Sequence, residues 1–482
     1  SRFLCWRRLA KGPGYSAIPT PERQIVESAL IAPVTFIGEE GDRLSIDERR
    51  QSLSIPAVSV AVARDWQLDW SAAYGGATIE TRFQAASLSK PVAAAGILTL
   101  AENLGVGIDD ELSGQLDGLN LDALNPDGLP ITLRGLLSHT NGTTVSGFPG
   151  YPAGTELPDL TDILTGSEPA NTDPVIVQSD KFGSRNYSGG GYQLAQYWAE
   201  TVSGEPFDAL MKRLVLDAVG MPNSTFTLYT PETYPSEDVA RAHLSGGKQI
   251  DAGWHMYPEQ AAAGLWTTPA DYVQFVLAVM SAKTGREDAG IRSSVARKMV
   301  QPIADEYGLG IGVREIDGEI RLSHSGLNRG YISNFMAYPA RGDMVITMTN
   351  SSSGFAMVGD VGRTANATYG WPSTPLIIEK RAETSAAELE DFVGLYIEDG
   401  NPETTFTLRV DGSELLGETP SGYQFRLVKI GPNKFIDPND AEKASFKQTD
   451  EGKLALSSGS STYVRQSTTH DEAREHPTPT EE

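Results

Sequence analysis

Small and β-branched residues crowd Ala57-Val58-Ser59-Val60-Ala61-Val62, and a second strand-like run extends from Leu68 to Tyr74, with a turn near Asp65 between them. Such a pair predicts a β-hairpin. Glu319 to Ser325, Tyr331 to Tyr338 and Met344 to Asn350 predict three consecutive antiparallel strands, the last two joined over Pro339-Ala340-Arg341-Gly342-Asp343. Between these strand groups the spacing changes to that of helices. Val92 to Leu100 is apolar nearly all round, as in a helix buried on every side. Further helices are predicted at Pro21 to Leu30, Ile46 to Leu53, Tyr192 to Val202, Phe207 to Val219, Pro269 to about Met280 and Phe355 to Tyr369. Thr268 is the predicted N-cap of the fifth, with Pro269 in its first turn. Strands from both ends of this stretch enclosing helices predict an α/β (α+β) domain with an antiparallel sheet and a helical insert.

Thr143 to Ser184 is rich in Gly, Pro and Asp and has little period, which predicts a long loop region that shapes a pocket. After Trp371-Pro372-Ser373-Thr374-Pro375 the texture changes. Phe392-Val393-Gly394-Leu395-Tyr396 opens a series of short strands that runs to Tyr463-Val464, punctuated by Asp-Gly, Gly-Pro-Asn and Asp-Pro-Asn turns. The expected division is an N-terminal arm (1–20), the α/β domain (21–375), a linker (376–388), a small all-β domain (389–466) and a disordered tail (467–482).

The chain of 482 residues is 39% hydrophobic and 21% charged, enough for a large core and more than one domain. No run of about 18 apolar residues predicts a membrane span. A net charge of −24 repels phosphate backbones and anionic headgroups, so nucleic acid and acidic membranes are poor partners. The single cysteine, Cys5, excludes an internal disulfide and a thiolate zinc cluster. No H-E-x-x-H or similar spacing indicates a metal, and nothing calls for a cofactor. Arg2, Arg7, Arg8 and Lys11 flank an apolar Phe3-Leu4-Cys5-Trp6 too short for a signal peptide, which leaves the compartment open, an extracytoplasmic one being favoured over the cytoplasm.

The chemistry centres on Ser87-Leu88-Ser89-Lys90 at the start of the apolar helix. Residues three apart share a helix face, so the Lys90 amine can reach the Ser87 hydroxyl. Near a helix start, backbone N–H groups favour negative charge developing on oxygen. Ser87 is the expected nucleophile, and Lys90 its base once burial or a cationic neighbour lowers its proton affinity. Tyr187, in Tyr187-Ser188-Gly189, is expected to share the proton and pass it to the leaving group. His324-Ser325-Gly326 follows at the end of a strand-like run, where it can edge a pocket. A literal Lys283-Thr284-Gly285 follows a helix end and is set aside. The chain lacks G-x-S-x-G, which excludes an α/β-hydrolase elbow.

This box order resembles that of the serine β-lactamase and penicillin-binding-protein superfamily. The blocks Lys181 to Gln193 and Ser203 to Phe226 are similar to its class C β-lactamase-like branch, which includes family VIII carboxylesterases and D-amino-acid-directed peptidases; the likeness spans roughly Pro56 to Asn350. The resemblance implies a β-lactamase/transpeptidase-like domain followed by a small lipocalin-like barrel that covers the pocket or joins copies of the chain. It implies that His324 replaces the lysine of the family's third box, with Ser325 and Gly326 beside it, and that the Leu327 N–H pairs with that of Ser87 as an oxyanion hole. It also implies that Gly189 stands where an asparagine is usual, removing a side-chain amide from substrate recognition, and that His139 is structural. His243, Trp254, His255 and Tyr257 are candidates for the pocket mouth or for packing. The expected function is a cofactor-free serine hydrolase forming an acyl-enzyme on carboxylic esters or small amides such as D-amino-acid peptides, with little β-lactamase activity. Acyl transfer through the same intermediate and a non-catalytic sensor are the alternatives.

Overall fold

A six-stranded antiparallel sheet forms the centre of the α/β domain. Its strands are β1 (Ala57–Arg64), β2 (Gln67–Gly75), β3 (Gly312–Ile316), β4 (Glu319–Asn328), β5 (Tyr331–Tyr338) and β6 (Asp343–Thr349), in spatial order β2-β1-β6-β5-β4-β3. The computed structural model describes residues 19–466 apart from 40–42, 286–288, 421–422 and 460. The expected arm up to residue 18, Cys5 and the tail from 467 lie outside the described residues.

Alternation explains why β1 is buried along nearly its whole length. Val58, Val60 and Val62 join the core under the helix Gly354–Tyr369, while Ala61 and Ala63 join the larger core that contains the helix Pro269–Lys283. Helices therefore cover both faces. Thr268 caps the second of these helices, its side chain accepting from the Asp271 N–H. The apolar helix is α1 (Ser89–Leu104), and the glycine-led one is α2 (Gly189–Ser203).

Four details differ from the sequence expectations. The regular helix starts at Ser89, with Ser87 in a 3-10 turn just ahead of it. The expected helix from Phe207 to Val219 is interrupted by a π turn at Lys212–Leu216. β4 runs on to Asn328, so the His324 triplet sits within the strand. The Thr143–Ser184 region holds a helix, Leu160–Thr165, started by a reciprocal cap between Asp159 and Asp162.

The all-β region is a closed eight-stranded barrel from Gly394–Glu398 to Ser461–Arg465. Tyr396, Phe406, Leu415, Leu427, Phe435 and Phe446 fill it, together with Leu389 and Phe392 from the turns ahead of its first strand. The segment expected as a linker contributes Ile377–Glu379, which pairs in parallel with Val34–Phe36. Among the described residues no helix is long and apolar enough to cross a membrane.

Candidate active site

The turn carrying Ser87 is pinned from several sides. The Ser333 hydroxyl donates to the Ala85 carbonyl at 2.8 Å, the Ala85 N–H to the Leu265 carbonyl at 2.8 Å, and the Tyr272 hydroxyl to the Leu88 carbonyl at 3.0 Å. Ser89 donates to the Ala86 carbonyl at 2.6 Å and accepts from the Leu265 N–H at 2.9 Å. Ala86 itself is left-handed, with φ of 52°, a conformation costing a non-glycine residue roughly 1 kcal/mol. That strain is stored directly beside the proposed nucleophile. Gly326 lets β4 approach this turn, because a Cβ there would run into the Ala85 carbonyl oxygen.

Lys90 comes one helical turn later, and its side chain reaches back along α1. The residue is 2% exposed. Its amine donates to the Ser87 hydroxyl at 2.9 Å and to the Ala262 carbonyl at 3.0 Å. It also lies over the faces of Tyr187 and Tyr192, 4.9 and 5.7 Å from the ring centroids. Among the described residues no carboxylate pairs with it.

Tyr187 thus meets Lys90 through its ring, and no hydrogen bond joins its phenol to Ser87 or Lys90. Behind it stands His139, ring to ring at 4.3 Å. Nδ1 of His139 accepts from the Ser188 N–H at 3.0 Å, so the proton is on Nε2. Burial and the Lys90 charge hold this imidazole well below its usual proton affinity. It is an uncharged backing for the tyrosine.

His324 also flanks Tyr187, with ring centroids 6.3 Å apart. Its Nδ1 is 2.7 Å from the Ser325 carbonyl, which can only accept, so Nδ1 carries the proton. Its Nε2 must then accept from the Tyr307 hydroxyl, 3.1 Å away. Burial, reinforced by the Lys90 charge, pulls the imidazole down to about 3. The position where the family resemblance implies a cation therefore holds a neutral ring with both nitrogens occupied.

The remaining expected residues fall around this centre. Leu327 follows Gly326 with its side chain 55% exposed, and Ser325 lines a cleft of about 400 Å³ together with Arg185, Tyr187, Tyr307, Ser323 and His324. Gly189 opens α2, and a Cβ on it would lie 2.7 Å from Cε2 of Phe148, whose ring fills that space. Trp254, His255 and Tyr257 line a small void with Gln84 and Trp266, whereas His243 sits at 3.2 Å from the Asn350 carbonyl. Sequence reasoning missed Tyr307 and Arg185, and also the buried pair in which Asn328 donates to Gln84 at 2.7 Å. A tyrosine near Gly308 and Gly310 and an arginine two residues before Tyr187 were the only local signals. Among the described residues no group of His, Cys, Asp and Glu side chains is arranged to hold a metal ion.

Residues 44–368 match the Beta-lactamase family model. The Putative penicillin-binding protein PbpX of Bacillus subtilis (strain 168) is 29% identical over 159 residues, 32% of this chain and 36% of that protein, so the match spans about a third of the relative's length. Among solved structures, the octameric penicillin-binding protein homologue from Pyrococcus abyssi superposes with a TM-score of 0.54 at 19% identity, covering 87% of this chain and 98% of the other. The D-amino acid amidase from Ochrobactrum anthropi SV3 gives 0.52 at 18% identity, covering 68% and 96%. The D-stereospecific amidohydrolase from Streptomyces sp. gives 0.52 at 18% identity, covering 68% and 98%. At these identities the likeness is one of fold.

Proposed function

The chain belongs to the Beta-lactamase family, and on that premise we propose that it is a serine hydrolase that acts on carboxylic esters or small amides through an acyl-enzyme at Ser87. The observation that carries the proposal is the 2.9 Å contact between the buried Lys90 amine and the Ser87 hydroxyl. Across the same contact Lys90 is the group placed to take the hydroxyl proton as Ser87 attacks the substrate carbonyl. The N–H groups of Ser87 and Leu327 then stabilise the oxyanion, and the Tyr187 phenol gives its own proton to the leaving group, the proton taken by Lys90 making good that loss. Water attacks the acyl-enzyme to complete the cycle. His324, being neutral, orders the strand edge and does not attract an anionic substrate.

The amidase and amidohydrolase of similar fold make D-amino-acid amides a natural substrate class to try beside simple esters. Association of copies, expected through the barrel, is part of the same proposal, since the Pyrococcus abyssi homologue is octameric. The deciding experiment is mass spectrometry after treatment with a fluorophosphonate, run alongside a p-nitrophenyl ester assay. A single adduct on Ser87 with loss of ester hydrolysis is expected. A protein that neither turns over esters nor takes up the reagent would be a binding module on the same fold.

A further inference from the structure

A cavity of about 250 Å³ lies where the barrel rests on the α/β domain, and it shares no residue with the cleft beside His324. One wall is Phe355, on the helix Gly354–Tyr369; the facing wall is Tyr423 and Phe425, where the chain enters the barrel strand Gln424–Gly431. Phe355 and Tyr423 meet edge to face across the domain boundary with ring centroids 5.7 Å apart, and Tyr423 stacks on Phe425 at 6.3 Å. Two hydrogen bonds hold the domains together here. Arg49 donates to the Asn439 side chain at 3.1 Å, and the Gln424 N–H to the Ser245 hydroxyl at 3.2 Å.

Asp437 lines the same cavity and is 4% exposed. Its two oxygens accept one backbone N–H each, from Asn439 at 2.8 Å and from Arg426 at 3.3 Å. A carboxylate has room for about four such bonds, and among the described residues no basic side chain pairs with this one. Arg426 also reaches the cavity, yet its guanidinium is committed to Asp411 at 2.8 Å and Glu414 at 3.0 Å. Asp440, exposed at the rim, adds a second negative charge; its carboxylate accepts the Glu442 N–H at 2.8 Å, and Arg363, whose charge it feels, is bound to Asp360. Burial, and after it the charge of Asp440, pushes the Asp437 carboxyl up to about 7. A carboxylate withdrawn from water calls for a cation, and the fold brings none to this one.

We propose that this interdomain cavity binds an organic ammonium ion, a protonated amine with a small apolar body, its charge facing Asp437 and Asp440 and its body packed against Phe355, Tyr423 and Phe425. Aromatic faces attract cations, and a buried carboxylate gives an ammonium group a charge-assisted hydrogen bond, so the two kinds of wall select the same ligand. An anion would meet two carboxylates, and a neutral molecule would leave Asp437 without its countercharge. A metal ion is a poor occupant, since no group of His, Cys, Asp and Glu side chains among the described residues is arranged to hold one. Because the walls come from both domains, the bound amine also bridges them.

The test is isothermal titration calorimetry of the full chain at pH 8 with three molecules of one shape: benzylamine, benzyl alcohol and benzoate. Benzylamine is expected to bind at one equivalent, at least about 10-fold more tightly than benzyl alcohol, and benzoate not to bind. Asp437→Asn removes the charge but keeps an oxygen for the Asn439 N–H, and Phe355→Leu keeps apolar volume but removes an aromatic face on the side of the α/β domain. Each should weaken benzylamine by about 10-fold, the scale of one lost charge-assisted contact. The comparison of the three molecules on the wild-type protein stands even where a variant fails to fold. No saturable binding of benzylamine, equal affinity for the amine and the alcohol, benzoate binding as tightly as benzylamine, or an amine affinity unchanged in either folded variant would overturn the site.

Discussion

The hydroxyl of Tyr307 donates to Nε2 of His324 across 3.1 Å, while Nδ1 of the same ring donates to the Ser325 carbonyl. This double engagement fixes His324 as a neutral tautomer and makes protonation costly. Its proton affinity in the fold, about 3, lies below the ordinary 6.5, so the folded state favours the uncharged ring. The resulting stabilisation is complete above about pH 6.5 and is lost as pH falls toward 3. Urea midpoints at pH 7.5 and 4.5 should therefore converge in His324→Gln, which removes about 2 kcal/mol of the wild-type acid sensitivity. Tyr307→Phe should lose about 1–2 kcal/mol at pH 7.5 by leaving Nε2 unmatched. An unchanged pH slope in His324→Gln would show that the imidazole titrates normally.

The contact between Lys90 and Ser87 sets a second expectation. Ser87→Ala should abolish turnover of a p-nitrophenyl ester, and Lys90→Ala should lower kcat/KM by about 100-fold or more, the scale of a lost general base. Lys90→Arg should fare no better, since a guanidinium stays protonated and cannot take a proton from serine. Steady-state kinetics on the three variants decide this, and substantial activity in Lys90→Arg would rule out the amine as base.

What could be read in advance follows from the range of each interaction. The Ser87 and Lys90 contact is local, spanning three residues from a 3-10 turn into the first turn of α1, so spacing alone pointed to it. The barrel was legible because its turns recur at short intervals. Tyr307 was not legible, because its meeting with His324 depends on how the chain enters β3 and returns along β4. β4 was expected to stop at Ser325; the structure carries it through Gly326, where a Cβ would run into the Ala85 carbonyl. The helix after Asp159 went unread because its reciprocal cap uses Asp162 in place of the usual Glu or Gln.

Phe148 occupies the space that a side chain at position 189 would need, with Cε2 2.7 Å from the Cβ position. Alanine is a better helix former than glycine by about 1 kcal/mol, yet the collision should cost about 1–3 kcal/mol. Gly189→Ala is therefore expected to destabilise the protein when Phe148 is present and to stabilise it in the Phe148→Ala background. A double-mutant cycle by chemical denaturation measures that reversal. Additive effects would mean that the ring gives way without cost.

Glu259 stands immediately ahead of the short helix Gln260–Ala263, whose Ala262 carbonyl accepts from Lys90. The residue is 0% exposed, neither carboxylate oxygen has a hydrogen-bond partner among the described residues, and burial pushes its carboxyl up to about 8. A carboxyl raised in the fold contributes stability that is present below its unfolded value near 4.5 and is lost as pH climbs toward 8. Glu259→Gln, which stays uncharged, should accordingly melt higher than wild type at pH 8.5, by about 4 °C, and lose that advantage at pH 4. The same ionisation strains the helix that positions the Lys90 amine, so wild-type kcat should decline above pH 8 more steeply than that of the variant. Parallel pH profiles of kcat, or a melting difference independent of pH, would mean that the Glu259 carboxylate is neutralised by some other route.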